Sequence, residues 1–175
     1  MKEIYILLTK THTVLSRTIA YVTKDAYTHA ALSLNKELTE LYSFGRIYKN
    51  NPFIGGFIKE SFVNSVYSDN MNCNCAVYSI QISDVQFNEI CEKLEEMKSA
   101  PKEFKYNTLG LLGTALGISV QRKNRFFCSE FVADMLDSID MLPLDYSPDK
   151  TRPSDFTEMS ICHYVKSGPL KTVVY

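Results

Sequence analysis

No apolar run in the chain approaches the roughly 18 residues that a membrane span needs. The stretch Ile4 to Leu8 is short, and Thr9-Lys10-Thr11-His12 ends it. It also lacks the longer apolar core and small-residue cleavage site of a secretory signal, so the chain reads as cytoplasmic. An excess of charge of either sign is missing as well. Nineteen basic against twenty acidic residues leave a net charge of −1, which offers no electrostatic pull toward nucleic acid or anionic lipid. Paired cysteines are scarce. Cys73 and Cys75 form a C-x-C, but no second pair and no H-x-x-x-H follows, so a zinc site is not expected. The five cysteines are an odd number without a secretion signal, which implies free thiols. No repeat, heptad array or low-complexity tract occurs. These absences argue against a membrane-spanning, disulfide-stapled, metal-held or solenoid protein, and no cofactor is expected.

What is present fits one domain over residues 1–175, since 175 residues lie close to the roughly 150 of a typical domain. The run from Glu3 to Thr9 is apolar and β-branched and predicts a buried strand. Val14, Leu15, Ile19 and Val22 have helical spacing. Thr28 to Leu34 alternates, with Ala30, Leu32 and Leu34 on one face and His29, Ala31 and Ser33 on the other. Leu41 to Arg46 predicts its hairpin partner. Residues 50–74 are polar, with Pro52, Gly55 and Gly56, and predict an elaborated loop or a small sub-structure. Ala76 to Ile82 predicts a further strand. Helical spacing then runs from an N-cap at Ser83 or Asp84 to Pro101, over Asn107 to Ile118 and, most strongly, over Phe127 to Ile139. Three prolines mark the following stretch as extended, and His163 to Val174 predicts one or two closing strands. The sum is an α+β domain with a mostly antiparallel sheet and packed helices.

Two residues carry reactive chemistry. Cys128 falls at the first turn of the strongest helix, where the N–H groups stabilise an anion, and Arg125 precedes it. It also lies three and four residues before Phe131 and Val132, so it points toward the sheet. A packed, inert thiol is the alternative. His29 lies on a strand face of small residues, Ala31 and Ser33, which predicts that the Cys128 helix approaches that face. Taken by itself, it reads as a hydrogen-bonded structural histidine. Together the two give the thiolate–imidazolium logic of a cysteine nucleophile. His12 and His163 are weaker candidates.

The segment Thr28-His29-Ala30-Ala31-Leu32-Ser33-Leu34, followed by Phe127-Cys128-Ser129-Glu130-Phe131-Val132, resembles the circularly permuted, NlpC-like branch of the papain-fold cysteine peptidases. In that branch the histidine strand precedes the cysteine helix. Leu41 to Arg46 stands where the family's next strand lies. Arg152-Pro153-Ser154-Asp155-Phe156 resembles its proline–aspartate segment, and Tyr164 to Gly168 its closing strand. The resemblance implies a papain-like α+β fold and a thiol hydrolase acting on a peptide-like or cell-wall-fragment-like amide. The same permuted fold also implies a second possibility, lipid acyl chemistry similar to lecithin:retinol acyltransferase. A catalytically silent binding module is a third.

The family's third residue, often a carboxylate that orients the imidazole, falls near Ser43. If His29 opposes Gly45, Ser43 is its diagonal neighbour and Glu40 points to the other face; a one-residue slip reverses the choice. Ser43 is therefore the expected third site residue after Cys128 and His29. Glu60, within the 50–74 stretch, is the group to consider if neither hairpin residue holds the ring.

Overall fold

The computed structural model describes residues 1–10, 25–46, 55–62 and 71–174. Among them are eight strands: β1 (Lys2–Thr9), β2 (His29–Ser33), β3 (Leu41–Arg46), β4 (Gly55–Lys59), β5 (Asn74–Ile82), β6 (Lys105–Tyr106), β7 (Arg125–Phe126) and β8 (His163–Pro169). The helices are α1 (Asp84–Ser99), α2 (Thr108–Ala115), α3 (Cys128–Asp137) and α4 (Leu170–Val174), with short 3₁₀ turns at Pro148–Lys150 and Pro153–Thr157. The strands form one sheet in the order β7-β6-β4-β3-β2-β1-β5-β8. Among the described residues only the β6–β7 pair is parallel, which makes the sheet mixed, and with the helices the class is α+β.

The continuous apolar run of β1 has its reason in the sheet, because β1 lies between β2 and β5 and is covered on both faces. Ile4, Ile6 and Leu8 join Leu32, Tyr42, Phe44 and Ile80 on one face, under Ile90 and Leu94 of α1 and Phe131, Val132 and Leu136 of α3. Tyr5 and Leu7 join Ala31, Leu41, Cys75 and Val77 on the other, under Leu170 and Val173 of α4. At the centre of the first face, Phe44 stands 5.1 Å from Phe126 and 5.3 Å from Phe131, ring centre to ring centre. These contacts lock α3 onto β3.

Three expectations change. The 50–74 stretch is not simply loop: β4 runs through it and pairs with β3 over five residues. Gly55 is needed there, since a Cβ on it would lie 2.8 Å from Tyr106 Cβ and 2.9 Å from the Gly45 carbonyl. The chain's end is strand then helix, because Leu170 and Val173, three apart, bury one helical face against the sheet. Most consequentially, α3 does not lie on the small-residue face. Its stripe is bulky, and it packs on Leu32, Tyr42 and Phe44, where it completes an aromatic core that the small face could not supply. The helical spacing between Val14 and Val22, and His12 with it, lies outside the described residues.

Candidate functional site

Cys128 is the first residue of α3 and is 3 % exposed. The short strand β7 ends one residue before Phe127, which breaks into the helix with extended backbone. That sharp strand-to-helix change places the thiol at the helix start, beside the first residues of β2. His29 hydrogen-bonds the Cys128 side chain, and the backbone N–H groups of Ala30 and Ser129 support the sulfur. Although α3 rides on the opposite face from the one anticipated, its first residue still meets His29 at the end of the strand.

The hairpin register explains the other partners. Leu32 pairs with Tyr42 and Ser33 with Leu41, and continuing that register sets Ala31 opposite Ser43 and His29 opposite Gly45. Ser43 in turn pairs with Ile58 on β4, and Glu60 N–H donates to the Leu41 carbonyl. Strand parity therefore gives His29, Ser43 and Glu60 the same face. Glu60 Oε1 lies 2.7 Å from His29 Nε2, and the Ser43 hydroxyl donates to that same oxygen. Ser43 thus grips the carboxylate that the imidazole holds. With Nε2 on Glu60, Nδ1 is the ring nitrogen left to meet the sulfur. Glu40 stands apart: it pairs with Lys59 at 2.6 Å and accepts from the Tyr42 hydroxyl. The sequence signal for Glu60 is a carboxylate one residue beyond a strand, masked because Gly55-Gly56 disguises that strand.

The electrostatics follow from burial and pairing. Burial alone would push the His29 imidazole down, but Glu60 and Cys128 push it up to about 10. Its side chain retains 16 % exposure and that of Glu60 only 7 %. Burial favours the neutral Cys128 thiol, yet His29 and the backbone N–H groups hold it below the ordinary thiol range. The other thiols behave oppositely. Burial pushes Cys73 and Cys91 up, and drives Cys75 and Cys162 up to about 12. The arrangement can hold an anionic sulfur, a proton beside it and a carboxylate behind the proton. No group of three or more histidine, cysteine or acidic side chains suited to a metal occurs among the described residues.

A second buried carboxylate braces the nucleophile's helix. Glu130 accepts from the Phe127 N–H at 3.0 Å and from Asn107 Nδ2 at 3.2 Å. Asn107 also accepts from the Gly110 N–H, capping α2. Burial, assisted by Asp149 and Asp134, pushes the Glu130 carboxyl up to about 7 against those two hydrogen bonds. Between about 4.5 and about 7 the folded chain keeps a proton that the unfolded chain has released. Glu130 therefore makes stability fall as pH rises through that window and level off above it. Urea unfolding at several pH values should show that this component of the slope is absent in Glu130→Gln, which keeps an oxygen acceptor without the titration.

No protein-family model matches the chain, and no curated protein matches it significantly.

Proposed function

We propose that the chain is a thiol hydrolase with the circularly permuted, NlpC-like papain fold. The observation that carries this reading is the hydrogen-bonded series Cys128–His29–Glu60, in which one thiol of five is driven toward the thiolate while the other four are driven away from it. The chain order, histidine strand before cysteine helix, agrees with the permuted branch. In the proposed reaction the Cys128 sulfur attacks an amide carbonyl carbon and its C=O electron pair moves onto oxygen. The Cys128 backbone N–H, at the helix start, is the candidate donor to that oxyanion. His29 gives its proton to the leaving nitrogen as the C–N bond breaks, leaving a thioester. His29 then takes a proton from water, which attacks the thioester and releases the acid and the free sulfur. A peptide-like amide is the first substrate class, and an acyl ester follows the same steps with an alcohol leaving.

Alkylation and acylation test the reading separately. At pH near 6, iodoacetamide should label Cys128 about a hundredfold faster than Cys73, Cys75, Cys91 or Cys162, as peptide mapping would report. Uniform rates would remove the thiolate–imidazolium pair. Incubation with a peptide anilide and with an aryl ester should leave an acyl group on Cys128, visible by intact mass. Transfer from the ester alone would favour acyl-ester chemistry. Fast alkylation with acyl transfer from neither would make the site a ligand-binding module.

A further inference from the structure

The helix that Asn107 caps carries its large apolar side chains on the outer side as well as the inner. Helix α2 turns Leu111, Gly110 and Gly113 inward, and exposes Leu109, Leu112 and Leu116 at 56 %, 44 % and 71 %. Those three positions are spaced three and four apart and share one face. Gly117, at φ +73°, then closes the helix: its N–H reaches the Thr114 carbonyl and the Ile118 N–H reaches the Gly113 carbonyl. Ile118 is thereby fixed, 56 % exposed, beyond the three leucines. Half of the large hydrophobic side chains that stand exposed among the described residues fall in this one short segment. Scattered exposed leucines need no explanation, whereas a contiguous row on one element marks a contact surface.

The surroundings say what kind. Lys102 and Lys105 precede α2, and Arg122, Lys123 and Arg125 follow it, with Glu103 the single acid in the stretch. Residues 102–125 therefore carry a net charge of +4 in a chain whose total is −1. The two basic flanks are brought together, because Lys105 pairs with Arg125 across β6–β7 and its N–H donates to the Asn124 carbonyl. Lys102, Lys105, Arg122 and Lys123 are exposed. Overall charge balance conceals this local asymmetry.

We propose that the α2 face is a peripheral docking surface for an anionic lipid bilayer. An apolar row on a segment whose two flanks are basic matches the chemistry of that interface, where acyl chains lie beneath anionic headgroups. No helix of the described residues is long and apolar enough to cross the membrane, so the contact is interfacial. It stands independently of the thiol chemistry, although β7 joins this surface directly to the Cys128 helix.

The test is sedimentation of the full chain with phosphatidylcholine vesicles, with and without phosphatidylglycerol. The chain should pellet with the anionic vesicles and be released by added salt. Leu112→Asn/Leu116→Asn should weaken binding by about tenfold or more, and Arg122→Gln/Lys123→Gln by about fivefold per charge removed. Both variants should keep the far-ultraviolet circular dichroism of the parent and its Cys128 alkylation rate, which separates failure of this surface from failure of the thiol reading. Equal binding to both vesicle types, no binding to either, or unchanged binding in both variants would overturn the proposal. Self-association of the parent that the leucine variant loses, seen by light scattering without vesicle binding, would assign the face to a second copy of the chain instead.

Discussion

His29→Ala should slow the alkylation of Cys128 near pH 6 by about 10²- to 10³-fold and abolish acyl transfer. An ordinary thiol with a pKa near 8.5 is thiolate in only about one part in 300 at that pH. Burial of Cys128 lowers the fraction further once the imidazolium that opposes burial is gone. The intrinsic nucleophilicity of the thiolate rises with its pKa, which returns part of the loss and keeps the effect within that range. The shape of the pH profile is the sharper readout. In the parent, labelling should level off at a lower pH than for an ordinary thiol, because His29 and the backbone N–H groups lower the pKa of the sulfur. It should change again only as His29 loses its proton near 10. In His29→Ala the rate should climb steadily with pH, as for an unassisted thiol. Cys128→Ser should keep the fold, remove the labelled site and leave no acyl adduct. A His29→Ala chain that alkylates as fast as its parent would mean that the backbone N–H groups of Ala30 and Ser129 and the helix start alone sustain the thiolate.

The two reactive residues were legible in sequence for different reasons. Cys128 could be placed because the stripe Phe127, Phe131, Val132, Met135 and Leu136 fixes both where the helix begins and which side is buried. His29 could be placed because strand parity in β2 sets it with the small residues Ala31 and Ser33, opposite Ala30 and Leu32. What alternation could not say was which face receives the helix. Small residues permit close approach, but the large aromatic side chains of Tyr42 and Phe44 needed covering more than Ala31 and Ser33 did, and burial of apolar area decided the packing. Strands β6 and β7, at two residues each, carry no periodicity at all; they exist because neighbouring chain supplies the hydrogen bonds. Strand β4 was hidden for a related reason. Its opening Gly-Gly reads as loop, while the physical demand at Gly55 is the approach of Tyr106 and the Gly45 carbonyl.

Glu60, at the end of that hidden strand, carries the second large effect. Glu60→Ala should lower acyl transfer by about 10²- to 10³-fold and move the alkylation profile of Cys128 toward higher pH. Removing the carboxylate leaves the buried imidazolium with the Cys128 sulfur as its one remaining counter-charge among the groups that raise it, so burial pushes His29 down. Less imidazolium means less support for the sulfur, and the two titrations move toward each other. Glu60→Gln separates charge from orientation, since an amide oxygen can still accept from Nε2 but cannot balance its charge. It should restore part of the rate while leaving the profile displaced. Ser43→Ala removes one hydrogen bond to Glu60 Oε1 and leaves the bond from His29, so roughly a tenfold loss is expected, in line with a hydrogen bond to a charged group. Glu40→Ala should stay within about twofold, because Glu40 is engaged with Lys59 and Tyr42 and its surface pair contributes little. A large loss in Glu40→Ala, or an unmoved pH profile in Glu60→Ala, would mean that another group orients His29. The expected order of damage, Glu60 well above Ser43 and Ser43 above Glu40, follows from the number of bonds that separate each side chain from the imidazole proton.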